Sequence, residues 1–323
     1  MPLVDLPLDQ LRAYAGRNPK PADFDAFWDA SLAEMRAIDP AIELVEVPFA
    51  QPIADCFDMT FTGTGGSRVH AKLLKPKEAG TAPGPALVHF HGYSWRADDW
   101  ATYLSWVAAG FTVAAMDCRG QGGSSQDTVS TLGPTLDGHI IRGLTDPTPE
   151  TLYFRNVFLD TAQLAGIMMA MPEVDENRVG AFGGSQGGGL TLACAALEPR
   201  IARAVPIHPF LCDYQRVWEM DLDVAAYAEL RRYFRFFDPL HQREEAIFER
   251  LGYIDVQHLA PRIRGEVLMA LGLMDSVTPP STCFAAYNKL ESVKEVVIYP
   301  DFAHEGLPGF SDRTFEFLCG LLN

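Results

Sequence analysis

Gly180-Ala181-Phe182-Gly183-Gly184-Ser185-Gln186-Gly187-Gly188-Gly189 is the stretch on which the reading of this chain turns. Gly183, Ser185 and Gly187 spell G-x-S-x-G. An apolar run at 179–182 leads into it, and a helical stretch carrying Leu190, Leu192, Ala193, Ala196 and Leu197 leads out. Strand, sharp turn and helix are the setting in which this motif forms a nucleophile elbow, with the serine on a strained corner. Side chains two residues either side of the serine would meet the neighbouring strand and helix, so glycine is required there. The corner also places the serine at a helix N-terminus, where unpaired amides favour developing negative charge. The rival reading is a glycine-rich phosphate cradle, but the lysine of G-x-x-x-x-G-K-[ST] is missing.

Working outward, short apolar runs at 86–91, 112–116, 179–182, 204–207, 267–271 and 295–299 are separated by stretches long enough for crossover helices. Parallel strands need such crossovers. Upstream, 57–62 and 68–74 read as an antiparallel hairpin around Gly65-Gly66, with Val69, Ala71 and Leu73 on one face and Arg68, His70 and Lys72 on a wet face. The fold class is therefore α/β: one mostly parallel sheet flanked by helices. Asp23 is expected to cap a helix whose stripe is Phe24, Phe27, Trp28, Leu32 and Met35. Residues 1–323 read as a single domain. Within it, 1–40 is an N-terminal helical extension, 130–153 a projecting arm and 210–262 an aromatic, helical cap-like insertion.

Composition narrows the function. The 323 residues are 48% hydrophobic and 21% charged, and 26 Lys+Arg against 42 Asp+Glu give a net charge of −16. That sign opposes nucleic acid and anionic membrane surfaces, both of which are bound through clustered Lys and Arg. Six scattered cysteines without a CxxC pair read as buried thiols in a reducing compartment. The start lacks the pattern of a signal peptide, and no apolar run reaches 18 residues. The expected location is cytoplasmic.

A serine hydroxyl needs a base of suitable pKa, and the elbow architecture takes its partners in the order Ser, Asp or Glu, His. Of the downstream histidines His208, His241, His258 and His304, His304 lies just beyond the last apolar run, at an edge where loops carry function. Asp275, just after the penultimate run, is the expected acid, with Asp301 the runner-up. The oxyanion donors are the amides of Gln186, after the nucleophile, and Tyr93, after the 86–91 strand. His89 and His91 point to one face of a strand, but no third ligand stands at diagnostic spacing, so neither metal nor cofactor is expected.

On these residues the chain resembles the acetyl xylan esterase/cephalosporin C deacetylase family, carbohydrate esterase family seven, of the α/β-hydrolase superfamily. The family's motifs stand here as Arg119-Gly120-Gln121, Gly183-Gly184-Ser185-Gln186-Gly187 and His304-Glu305. The likeness extends to Phe24-Asp25-Ala26-Phe27-Trp28, to Gly272-Leu273-Met274-Asp275 and to Phe284-Ala285-Ala286-Tyr287-Asn288. Residues 94–100, with Trp95 and Trp100 and few glycines, differ from the family pattern. The resemblance implies an α/β-hydrolase fold and a serine esterase acting on acetyl esters of carbohydrates and related small molecules. It makes Ser185, His304 and Asp275 catalytic, Tyr93 and Gln186 the oxyanion donors, and Arg119 and Gln121 structural supports. It also implies a cytoplasmic homohexamer, the arm at 130–153 contributing to assembly. A serine peptidase or thioesterase would share the same residues, and a non-catalytic binding protein of this fold is the reading from another class.

Overall fold

The computed structural model describes residues 4–78, 80, 82–132 and 138–323. Among these, nine strands form one sheet: β1 (Glu43–Glu46), β2 (Ala54–Thr62), β3 (Arg68–Pro76), β4 (Gly84–Phe90), β5 (Thr112–Met116), β6 (Val174–Gly184), β7 (Arg203–Ile207), β8 (Glu266–Gly272) and β9 (Lys294–Tyr299). Their spatial order is β1-β2-β3-β5-β4-β6-β7-β8-β9. The first three strands and β5 pair antiparallel, and every pairing from β5 across to β9 is parallel. The parallel part is covered on both faces, and β5 is buried along its whole length, as a two-sided apolar strand must be.

Two apolar cores lie on the sheet's two faces. One joins Trp28, Phe158 and Leu190, from the helices Phe24–Arg36, Tyr153–Met169 and Gln186–Leu197. The other joins Trp106, Phe111 and Leu318. The helix Tyr153–Met169 is buried at nearly every position, and Trp28 stacks on its Phe158 at 6.0 Å. The expected stripe Phe24, Phe27, Trp28, Leu32, Met35 is buried as a unit.

Two expectations need correction, and one strand carries no pattern that marks it. Asp23 stands at the N-cap, but its side chain does not cap; it takes the Tyr253 hydroxyl instead. The face of β3 expected to be wet is partly covered, because His70 is gripped between Asp117 (2.8 Å) and Asp58 (2.9 Å). A fourth antiparallel partner, β1, escaped the reading: all four of its residues are exposed, so it has no alternation to betray it. The later part of the stretch 130–153 is anchored to the body: Ile140, Ile141 and Leu144 are buried, since three large aliphatic side chains gain more there than in water, while Leu132 is exposed. Residues 133–137 of the expected arm lie outside the described residues.

Residues 210–262 fold into the helices Tyr214–Glu219, Ala228–Phe237, Glu244–Gly252 and Val256–Leu259. Phe234 packs inside while Phe236 is exposed. The sheet order doubles back around β4, which lies between β5 and β6. In open α/β sheets a crevice opens at such a reversal, outside the carboxyl ends of the strands. The loops that follow β4 and β6 begin there.

Candidate active site

Ser185 follows β6 directly and opens the helix Gln186–Leu197. Its backbone sits at φ 57°, a left-handed conformation that costs a non-glycine residue energy and is held by its surroundings. Those surroundings are the Ile207 carbonyl, which accepts the Ser185 amide at 2.8 Å, and the amides of Gly189 and Phe210, which donate to the Ser185 carbonyl. The flanking glycines are sterically obligatory. A Cβ on Gly183 would lie 2.5 Å from the Phe90 carbonyl oxygen, and one on Gly187 only 2.0 Å from it. Gly187→Ala is expected to cost about 2–3 kcal/mol in urea unfolding. Gly184→Ala, where a Cβ meets nothing within 4 Å, is the control. Equal stability of the two variants would remove the steric account.

The carboxyl ends of three strands converge. Ser185 Oγ lies 3.0 Å from His304 Nε2, and His304 Nδ1 lies 2.7 Å from Asp275 Oδ2. Asp275 follows β8 and His304 follows β9. The Asp275 carboxylate is buried and fully engaged. Its Oδ1 accepts the amides of Val277 (2.8 Å) and Thr278 (2.9 Å), and its Oδ2 also accepts the Thr278 hydroxyl at 2.9 Å. Burial works against its charge, but the His208 and His304 imidazoles and the Thr278 amide outweigh burial and hold its pKa well below the usual carboxylate range. Asp301, the runner-up acid, is exposed.

Gln186 follows the serine directly, and its side chain reaches toward the loop after β4, with Nε2 3.5 Å from the Gly92 carbonyl oxygen. Gln186 is the first helical residue, so its amide has no place in the intrahelical ladder. Among the described residues neither the Tyr93 nor the Gln186 amide donates a hydrogen bond to the protein. The Gly92–Tyr93 peptide is clamped from its carbonyl side: Gly92 O accepts from His91 Nδ1 at 2.7 Å and from the Trp95 amide at 3.2 Å, with Gln186 Nε2 at 3.5 Å. A trans peptide is planar, so fixing that carbonyl aims the Tyr93 N–H. His91 Nε2 in turn accepts the Cys118 amide at 2.9 Å. Both ring nitrogens of His91 are thus spent on backbone, which no spacing rule predicts.

Gln121 joins the two halves of this frame. Its Oε1 accepts the Ser94 amide at 2.9 Å, and its Nε2 donates to Gln186 Oε1 at 2.8 Å and to the Tyr153 hydroxyl at 3.1 Å. Arg119 is wholly buried and makes a forked pair with Asp160 at 2.7 and 2.6 Å. Its remaining donors reach the Thr64 carbonyl and the Ser67 hydroxyl, both at 3.1 Å. None of these partners is Ser185, His304 or Asp275, and the bonds tie the β2–β3 turn to the helix Tyr153–Met169. His208 binds backbone and borders the same carboxylate: Nε2 donates to the Glu305 carbonyl at 3.2 Å, and Nδ1 is 3.2 Å from Asp275 Oδ2. His208, Asp275 and His304 bring ligand atoms within 4.8 Å of one another. His304 already spends both nitrogens on Asp275 and Ser185, which argues against a metal there.

A serine Oγ, an imidazole and a buried carboxylate joined by hydrogen bonds are the arrangement that acyl transfer uses. The sequence profile of the family Acetyl xylan esterase (AXE1) matches residues 1–321. The chain belongs to the acetyl xylan esterase family. Among solved structures it is similar to acetyl xylan esterase 1 of Thermoanaerobacterium sp. JW/SL YS485, at 57% identity and TM-score 0.97, covering 99% of this chain and 100% of that one. It is also similar to an acetyl xylan esterase of Paenibacillus sp. R4, at 36% identity and TM-score 0.92, over 97% and 99% of the two chains. The acetyl esterase Axe7A of Xylanibacter ruminicola is 27% identical over 289 residues, 88% of this chain. This member of the family spans 63% of the length of that curated relative. An α/β hydrolase of Penicillium sp. sh18, at 16% identity and TM-score 0.56 over 87% and 99% of the two chains, shares the fold alone.

Proposed function

We propose that this acetyl xylan esterase family member is a serine carboxylic ester hydrolase that removes acetyl groups from hydroxyls of small carbohydrates and related molecules. Acetylated xylo-oligosaccharides and cephalosporin C-like acetates are the substrate class. The observation that carries the reading is the line from Ser185 Oγ through His304 to Asp275, at 3.0 and 2.7 Å. Ser185 attacks the ester carbonyl while His304 Nε2 takes its proton. The amides of Tyr93 and Gln186 receive the oxyanion, and each such donor is worth about 3–4 kcal/mol of transition-state stabilisation. His304 then protonates the leaving alcohol, and the acetyl group stays on Ser185. Water, deprotonated by His304, attacks the acetyl carbonyl, and acetate leaves as Ser185 regains its proton. Asp275 holds His304 in the tautomer that presents a lone pair to Ser185. No cofactor takes part.

The whole chain acts as one domain in this reading. Its support is a shared core that runs from Trp28 through Ile140 to Phe248, linking the N-terminal helix, the stretch 130–153 and the insertion at 210–262. A cytoplasmic homohexamer is part of the same proposal. Six free thiols, five of them buried, suit a reducing compartment. Exposed Ile42, Leu44 and Val45 on and beside the edge strand β1 offer apolar surface for assembly. Among the described residues no helix is long and apolar enough to cross a membrane.

The test is a nitrophenyl ester series from acetyl to octanoyl, with acetate release from acetylated xylo-oligosaccharides followed in parallel. Acetyl esters are expected to give the highest kcat/KM. A preference for octanoyl esters, or faster cleavage of the matching anilide, would replace this reading with a lipase or peptidase.

A further inference from the structure

Glu229 is a carboxylate that the reaction above does not use. It sits in the first turn of the helix Ala228–Phe237 and is 4% exposed. Donors from two other segments converge on it. The Tyr93 hydroxyl donates to Oε1, and the Ile140 amide donates to Oε2 at 2.7 Å, with the Ile141 amide at 3.4 Å. The Tyr93 oxygen is itself held by the His139 amide at 3.0 Å, which leaves the hydroxyl proton for Glu229. One carboxylate therefore ties together the oxyanion loop, the stretch after residue 138 and the insertion, none of which is adjacent in sequence.

Tyr93 is half-buried and packs against the edge of the main core. Its edge contacts are His139 at 5.2 Å and Phe210 at 5.6 Å. It also lines a cavity of about 400 Å³ together with Ser94, Ala225, Glu229 and Arg232, among others. For a ring that borders open space, the two hydrogen bonds at its hydroxyl add the constraint that packing on one part of its surface leaves out. Burial is the main influence on Glu229 and pushes its carboxyl up to about 8 against the amides at 139–141. Such a group is costly to bury and is retained where its hydrogen bonds do work.

We propose that Glu229 is a positioning residue for the oxyanion loop: it anchors the Tyr93 side chain, and so the direction of the Tyr93 amide, from the insertion above. The His91 clamp fixes one end of that peptide unit and Glu229 fixes the other. This inference rests on the esterase reading, and goes beyond it by assigning the insertion a role in transition-state binding rather than in covering the site.

The test measures kcat and KM for nitrophenyl acetate with wild type, Glu229→Leu, Tyr93→Phe and the double variant, alongside thermal unfolding. Each single variant is expected to lower kcat about ten-fold with KM changed less than about two-fold, because a misaimed donor loses transition-state binding selectively. The double variant is expected to be no worse than the poorer single, since both cut the same link. If Glu229→Leu does not fold, Tyr93→Phe, which removes one oxygen, decides alone. An unchanged kcat in Tyr93→Phe, or losses that multiply in the double variant, would overturn the anchor while leaving the esterase standing. Absence of turnover by wild type would sink both.

Discussion

Ser185→Ala is expected to lower kcat for acetyl esters by about 10⁵- to 10⁶-fold while the protein still folds. His304 Nε2 lies 3.0 Å from Ser185 Oγ, and the corner at φ 57° holds the serine between strand and helix. Among the described residues the amides of Tyr93 and Gln186 donate to no protein group. The backbone bonds that hold the corner run through Ser185 N and O, not Oγ, so alanine keeps them. Fluorophosphonate labelling gives an independent readout: wild type is modified once per chain and the variant is not. Comparable turnover by both proteins, with the variant's purity checked by mass, would end the serine mechanism.

Asp275→Asn is expected to cost about 10⁴-fold in kcat, through proton placement rather than loss of shape. The amides of Val277 and Thr278 both donate to Oδ1, so in the variant that position must remain the carbonyl oxygen. The new NH₂ group then occupies the place of Oδ2, 2.7 Å from His304 Nδ1. Two donors cannot face each other there, so His304 moves its proton to Nε2 and turns a hydrogen toward Ser185 instead of a lone pair. Steady-state kinetics of Asp275→Asn beside Asp301→Asn separates the two candidate acids. A loss of less than ten-fold at Asp275, or a larger loss at Asp301, would remove Asp275 from the reaction.

Much of this is legible in the sequence. The glycines around Ser185 announce a collision, and the collision is with the Phe90 carbonyl. His304 and Asp275 are found because each follows an apolar run, and a parallel sheet brings the ends of those runs to one edge. What stayed hidden depends on contacts between distant segments. Nothing local marks His91 as a backbone clamp, His208 as a neighbour of Asp275, or Glu229 as the partner of a tyrosine 136 residues away. The edge strand β1 was hidden for the opposite reason: periodicity reports burial, and β1 has none. Gly, Pro and Thr dominate the stretch 130–153 and point it outward, and nothing in that composition marks Ile140, Ile141 and Leu144 as the side chains that anchor its later part.

Ser185, Asp275 and His304 hang from the ends of β6, β8 and β9, so the last of them enters 119 residues after the first. A ribosome making this chain supplies the elbow well before the imidazole. Since a domain folds as a unit, a chain halted short of residue 304 lacks both the histidine and the finished sheet that would hold the serine corner. Partial products of synthesis are therefore inert towards esters in the cell.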